Sequence, residues 1–302
     1  MKHTTLPILT GLALLVASCG EKKSATVSNP AESQSSGTNS FVLAQKHYLP
    51  PAGTVATKNT SMVMTDSAMT VKAGPQEMQG TASRTETGVE TLEVLSKDKI
   101  RRLQVSKKAS GKMTMNGQDQ PSPETPDPLE GIPVILERKG ETWTASLENG
   151  AAPAPEQQKR LDRMVAEIVR DSDFQMYGDT PRSPGDKWQV DPAKIGAFDE
   201  VKSVTGTYSV EFVEVKEFDG VRCAVLKATY DFKGKSEASD ESQAMDIAMK
   251  GEAISRRSIA DQFDLGVEIK GTMTVDGSPV ENVTMHIVGP MTMTQKVALK
   301  KP

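Results

Sequence analysis

The sequence predicts a mainly β protein: a large antiparallel curved sheet or half-barrel in two similar halves, with one amphipathic helix packed on it. Three observations support this fold class. Apolar and polar residues alternate over most of the chain after residue 40, as in strands that bury one face. Asp-Gly and Asn-Gly pairs, which are typical of hairpin turns, separate these stretches. One stretch alone has a convincing helical period.

The clearest predicted strand covers residues 265–275, where the odd positions are apolar or small and the even positions are mostly polar. Asp276-Gly277 follows and predicts a hairpin turn. A partner strand over residues 283–299 alternates in the same way. Gly289-Pro290 interrupts this partner strand, which predicts a bulge or kink there.

Other strands are predicted on both sides of the helix. Asp219-Gly220 predicts the turn between strands over 207–217 and 221–232, and Asn116-Gly117 is a candidate turn in the first half. Residues 241–259 are rich in Glu, Gln and Ala, yet apolar side chains recur at every second position. The period favours a strand there.

The helix is predicted over residues 156–170. Its apolar side chains recur at helical spacing, and its charged side chains lie elsewhere on the helix surface. Pro153 and Pro155 precede it, as is typical of a helix start. We expect its apolar face to cover part of the sheet.

The first residues have the features of a lipoprotein signal peptide over residues 1–18. Lys2 supplies a positive charge, and the apolar run over residues 6–16 is too short for a permanent membrane span. Val16-Ala17-Ser18-Cys19 resembles the lipobox of bacterial lipoproteins. That resemblance implies that Cys19 carries acyl chains such as palmitate, and that Gly20 directs the protein to the outer membrane, facing the periplasm.

The domain organisation follows from composition. Residues 19–40 are predicted to form a lipid-anchored disordered linker, because they contain almost no apolar periodicity. Residues 41–302 are predicted to form one antiparallel β domain. The turn-rich stretch over residues 178–188 indicates that its two halves divide near residues 173–200.

Composition excludes nucleic acid as a partner and a disulfide as a cross-link. The formal net charge of −4 with interspersed signs gives no basic surface for nucleic acid. Cys223 is the one thiol besides Cys19, so we expect no disulfide within an acylated chain.

No motif in the sequence predicts catalysis or a His and Cys metal site. His47 and His286 lie far apart, and no Cys-x-x-Cys or Gly-x-Ser-x-Gly is present. We therefore expect no catalytic residue, no metal ligand and no cofactor, and a protein that is not an enzyme. A hydrolase whose residues meet only in the folded chain stays an alternative.

Methionine is unusually common, with 15 residues against 7 phenylalanines. Three Met-x-Met pairs place two thioethers on one face of a strand, and thioethers are soft ligands suited to Cu(I). The same alternation is what an apolar sheet face requires, so we interpret these residues as core. A flexible, Met-lined surface that adapts to acyl chains is a further interpretation.

A family resemblance supports the same architecture. Pro184-Gly185-Asp186-Lys187-Trp188, the helix before it and the long terminal strands resemble bacterial lipoproteins of uncharacterised function with a large curved antiparallel sheet. In architecture only, the chain is also similar to periplasmic half-barrel lipoprotein or lipid carriers. The resemblance implies no functional residue.

The predicted function is noncovalent binding or carriage of an apolar or amphipathic ligand by a lipid-anchored envelope protein. The expected partners are the membrane, reached through the acyl chains on Cys19, and a lipid-like ligand. The alternative is an envelope assembly or scaffold protein that acts through protein–protein contacts. The candidate ligand-binding residues lie on the helix and on the last two strands: Leu161, Val165, Ile168, Met273, Met285, Ile287 and Met293.

Overall fold

The structure is a computed structural model that describes residues 40–122, 126–195, 201–236 and 243–302. The predicted signal peptide, Cys19 and the linker up to residue 39 lie outside the described residues. Within the described ranges, no helix is both long and apolar enough to cross a membrane.

Twelve strands form a single open antiparallel sheet, which confirms the predicted fold class. Six strands precede the helices: β1 (Val55–Ala73), β2 (Gln76–Ser96), β3 (Lys99–Met115), β4 (Gln118–Ser122), β5 (Val134–Lys139) and β6 (Thr142–Leu147). Six strands follow them: β7 (Lys187–Val190), β8 (Val201–Phe218), β9 (Val221–Ser236), β10 (Asp246–Ser258), β11 (Asp264–Val280) and β12 (Val283–Lys300).

Each half of the sheet is a meander, and the two meanders meet at β1 and β12. The strand order is β6-β5-β3-β2-β1-β12-β11-β10-β9-β8-β7, with β4 paired to β3 beside this path. The β1–β12 ladder runs from Val55 opposite Lys300 to Ala73 opposite Val283. Strands near the two chain ends therefore lie at the centre of the sheet.

The predicted helix is confirmed as α1 (Pro155–Arg170), and a short helix, α2 (Ser172–Tyr177), follows it. At the start of α1, the Ala154 backbone N–H donates to the Gln157 side-chain oxygen at 2.9 Å. Asp171 separates the two helices in a left-handed conformation with φ of 51°. The helices connect β6 at one sheet edge to β7 at the other.

Most predicted turns are confirmed, and one is wrong. Asp219-Gly220 joins β8 to β9, Asn116-Gly117 joins β3 to β4, and residues 246–258 form strand β10. The turn predicted at Asp276-Gly277 lies inside β11. Both residues pair with β12, and the chain reverses only at residues 281–282. Gly277, with φ of 145°, instead begins the irregularity that precedes this turn.

The irregularity predicted at Gly289-Pro290 is present, but the extra residue is in the neighbouring strand. β12 keeps regular pairing with β11 there, while β1 shifts register between Met64 and Ala68. A Cβ atom on Gly289 would lie 2.5 Å from the Cα atom of Ser67, so this position requires glycine. The bulge changes which positions of β1 face inward, from even numbers before it to odd numbers after it.

The inner face of the sheet forms two clusters of buried side chains. The larger one, here the methionine cluster, draws mainly on β1 and on β8 to β12. Together with the partly buried side chains of β2, β3 and α2 that pack against it, it contains 13 of the 15 methionines. The smaller one, here the helix cluster, packs Leu161 and Met164 of α1 against β2, β3, β5 and β6. Two short helices cannot cover twelve strands, so burial of this face requires the sheet to curve around it.

Paired glycines permit close packing inside the curve. Gly251 of β10 lies opposite Gly271 of β11, and the Tyr230 side chain of β9 crosses both. The Tyr230 hydroxyl donates to the Lys270 carbonyl oxygen at 3.3 Å. The aromatic ring thus fills the space that two missing side chains leave.

We expect Gly271→Ala to lower the free energy of unfolding by about 1–3 kcal/mol through overpacking. Its new Cβ atom would lie 2.5 Å from the Tyr230 hydroxyl and closer still to the Lys250 carbonyl oxygen. Gly266→Ala in the same strand is the matched control, because its nearest neighbour, at 3.3 Å, is the flexible end of Arg256. Urea unfolding measures both, and equal losses would contradict the packing account.

Candidate functional site

A cavity of about 280 Å³ lies where the segment 44–50 and the α1–α2 junction meet the inner face of the sheet. Apolar side chains form much of its wall: Leu49, Pro50, Leu92, Ile100, Ile168 and Phe263. Ionised or polar side chains border it: Arg102, Glu167, Asp171, Asp173, Arg257 and Gln262. Its volume is close to the lower limit of about 300 Å³ for small-molecule pockets.

A buried ion-pair network, here the Arg102 network, forms one side of the cavity. The Arg102 guanidinium donates to Glu90 on β2 at 2.7 Å and to Glu167 on α1 at 2.9 Å. Lys58 on β1 lies 2.6 Å from the other Glu90 oxygen, and Arg160 donates to Glu167 at 3.0 Å. The network therefore ties the helix to three neighbouring strands.

The network changes the acidity of its buried carboxyls. Burial alone would raise the pKa of Glu90, but Arg102 and Lys58 together hold it far below its usual range. The pKa of Glu167 is also lowered, because Arg102 and Arg160 outweigh its burial. Both carboxyls are therefore ionised at neutral pH and fully engaged by cations.

A second network, here the Arg257 network, also borders the cavity. The Arg257 side chain is only 1% exposed, and its Nε donates to the Leu43 carbonyl oxygen at 2.6 Å. Its two terminal nitrogens donate to Asp264 at 3.0 Å and to Asp173 at 2.9 Å. The guanidinium also lies 4.3 Å from the centre of the Tyr177 ring. This arginine holds the N-terminal segment, α2 and the end of the sheet together.

Asp264 differs from the carboxyls of the Arg102 network. Burial raises its pKa to about 6, although Arg257 acts to lower it, and the nearby Asp173 raises it further. The Tyr177 hydroxyl donates a hydrogen bond to the Asp264 carboxyl at 3.2 Å. Burial raises the pKa of Tyr177 well above its usual value. Burial thus brings the pKa of Asp264 closer to neutral pH than its ordinary value.

Asp171 and Gln262 are two further polar residues of the cavity wall. The His47 backbone N–H donates to the Asp171 carboxylate at 2.6 Å, which fixes segment 44–50 against the helix junction. Gln262 is 8% exposed, and its side-chain oxygen has no hydrogen-bond partner among the described residues. A buried acceptor without a donor is costly, so this oxygen is a local weak point of the cavity wall.

The structure separates the seven residues predicted to bind a ligand. Leu161, Val165 and Ile168 belong to the helix cluster, and of these only Ile168 lines the cavity. The other four predicted residues are buried in the methionine cluster: Met273, Met285, Ile287 and Met293. Sequence reasoning missed Arg102 and Arg257. For Arg102 the available signal was the charge on alternate, inward positions of β2 and β3, whereas Arg257 lies on β10 and had no such signal.

We expect the stability advantage of the natural chain over an Asp264→Asn variant to shrink as the pH rises from about 4 to about 6. A folded-state pKa raised to about 6 means that the native state binds more protons than the unfolded state in that range. The contribution of Asp264 to the free energy of unfolding is thus present at low pH and is lost as the pH rises. The loss is roughly 2–3 kcal/mol for a pKa shift of about two units.

Urea unfolding at half-unit pH steps measures this difference. Glu90→Gln is the control, because the lowered pKa of Glu90 predicts the opposite sign: its contribution is present above about pH 4.5 and lost as the pH falls. Parallel curves for the natural chain and Asp264→Asn would contradict the account.

Comparisons with known proteins identify no family and give only distant structural similarity. No known protein family matches the chain, and no curated protein does. One similar solved structure is described as lipid–protein interactions in lipovitellin. Its TM-score is 0.40 and its sequence identity is 10%, and the alignment covers 83% of this chain and 25% of that chain. Another, an outer membrane channel from Pseudomonas putida F1, has a TM-score of 0.25 and 9% identity over 88% of this chain and 100% of that one. The chain thus spans about a quarter of the lipovitellin chain, and what the structures share is a large antiparallel sheet.

Proposed function

We propose that this chain is a lipid-anchored protein of the cell envelope that binds an apolar or amphipathic ligand noncovalently and without catalysis. In this proposal Cys19 anchors it to the outer membrane, facing the periplasm. The observation that carries the proposal is the cavity beside α1, whose wall is formed largely by apolar side chains.

The charges around the cavity restrict the ligand. The guanidiniums of Arg102 and Arg257 are already engaged by carboxylates and carbonyl oxygens. Neither of these two guanidiniums is left over to neutralise an acidic headgroup, and burying such a headgroup would cost desolvation without a partner. A ligand with an uncharged end fits the cavity better than a fatty acid anion.

The position of the cavity suits binding from the membrane side. Its rim includes Asp173, whose side chain is 52% exposed, so the cavity reaches the surface. Segment 44–50 forms another part of the wall, and it follows the predicted linker closely. A linker of about twenty residues spans roughly 25 Å on average, which keeps the cavity near the bilayer in this proposal.

We expect Ile168→Trp to abolish binding of N-phenyl-1-naphthylamine, a neutral apolar fluorophore, because the larger side chain would fill the cavity. Val169→Trp is the matched control: it is the next residue of the same helix, is 53% exposed and does not line the cavity. Fluorescence titration of the purified full chain measures binding, and circular dichroism checks the fold. Equal binding by both variants would place the fluorophore elsewhere and favour the scaffold alternative.

We expect Cys19→Ala to release the protein from the membrane fraction when it is expressed in its bacterial host. Each acyl methylene in the bilayer contributes about 0.8 kcal/mol, so losing the chains removes the anchor. Fractionation and immunoblotting measure the distribution. A Ser18→Ala variant, which keeps the cysteine, is the control and should stay in the membrane. Full retention of Cys19→Ala would refute the lipid anchor.

A further inference from the structure

Two Met-x-Met motifs that are far apart in the sequence pair with each other in the sheet. Met62 on β1 lies directly opposite Met293 on β12, and Met64 lies opposite Met291. All four side chains are 9% exposed or less. The sequence predicts each motif as ordinary core, but the register joins them into one array of four thioethers.

The geometry of an antiparallel sheet allows these four sulfur atoms to converge. Cβ atoms of directly opposite residues are about 5 Å apart. Positions two residues apart on one strand are separated by about 7 Å and share a face. Methionine has three rotatable bonds, so four side chains rising from the corners of such a rectangle can meet above its centre.

A buried carboxylate lies beside this array. Glu86 on β2 is 2% exposed; one of its oxygens accepts from Arg84 at 2.7 Å, and the other has no partner among the described residues. Thr60 donates to the Gly88 carbonyl oxygen at 3.1 Å, which aligns β2 with the first part of β1. Two residues further along these antiparallel strands come Met62 on β1 and Glu86 on β2, and both are buried.

We propose that Met62, Met64, Met291 and Met293 form a binding site for Cu(I), with the unpartnered oxygen of Glu86 beside it. Thioethers are soft, neutral ligands that select Cu(I) over hard divalent cations. A cation would otherwise be costly in an apolar interior, and a half-satisfied buried carboxylate offsets that cost. An apolar core alone gives no reason to bury an acid with an unpartnered oxygen.

The rest of the chain provides an internal comparison. Met113 and Met115 on β3 form a third Met-x-Met motif on the inner face, but they lie opposite Ala82 and Gly80. These positions present two thioethers and no facing pair. Among the described residues, no group of three or more His, Cys, Asp or Glu side chains could hold a metal ion, so a conventional site does not compete.

The test is an anaerobic titration of the purified full chain with Cu(I), in competition with the chromogenic chelator bicinchoninate. We expect the natural chain to withdraw one Cu(I) from the chelator. Met291→Leu/Met293→Leu should abolish this, while Met113→Leu/Met115→Leu should retain it. Methionine and leucine are similar in volume, so both double variants should fold, which thermal unfolding checks.

Two further variants separate the proposal from its alternatives. Glu86→Gln should weaken Cu(I) binding by about 10–100-fold, as is typical when a group supporting a metal site is lost. Cys223→Ala should leave binding unchanged, which excludes the buried thiol as the ligand. The proposal is overturned if the natural chain withdraws no Cu(I), or if the two double variants bind equally. Ile168→Trp should bind Cu(I) normally, so failure of this site is distinguishable from failure of the ligand cavity.

Discussion

The pairing of β1 with β12 is the constraint on which the rest of the structure depends. It joins residues 55–73 to residues 283–300 and unites two meanders that would otherwise expose two long strand edges. The chain must close a loop of more than two hundred residues to form it, which is costly in entropy and slow. The bulge between Met64 and Ala68 lies within this ladder, so the same pairing determines which β1 side chains face inward.

The Arg102 network adds a second constraint, on register. Moving β2 or β3 by one residue would turn Glu90 or Arg102 to the outer face, and Glu167 on α1 would lose a partner. An unpaired buried charge costs about 3–5 kcal/mol, so alternative registers are strongly penalised even though the ion pairs themselves add little net stability. The charges therefore specify the arrangement more than they strengthen it. The residues of the Arg102 network also lie between the helix cluster and the methionine cluster.

Much of the fold could be predicted from the sequence, because alternation and turn residues are local signals. Asp219-Gly220 and the helix over residues 156–170 are examples. Asp276-Gly277 shows where local signals fail. The same dipeptide is compatible with a turn or with an irregular strand, and here its pairing with β12 keeps it within a strand. Most of the candidate site could not be predicted from the sequence, for a related reason. Ile168 was predicted from helix periodicity, but Arg102 and Arg257 become part of a cavity only through contacts across sheet and helix.

The abundance of methionine has a physical reason that links the fold to both proposals. A tightly curved sheet with a bulge leaves irregular gaps on its inner face, and methionine fills such gaps better than branched or aromatic side chains do. No methionine lines the cavity beside α1, whereas 13 of the 15 belong to the methionine cluster. The two regions lie on either side of the Arg102 network. A ligand in the cavity and a cation among the thioethers would thus occupy separate places on one continuous sheet. Strands β1 and β2 connect the two places, because they contribute Lys58 and Glu90 to the Arg102 network and Met62 and Glu86 to the proposed cation site.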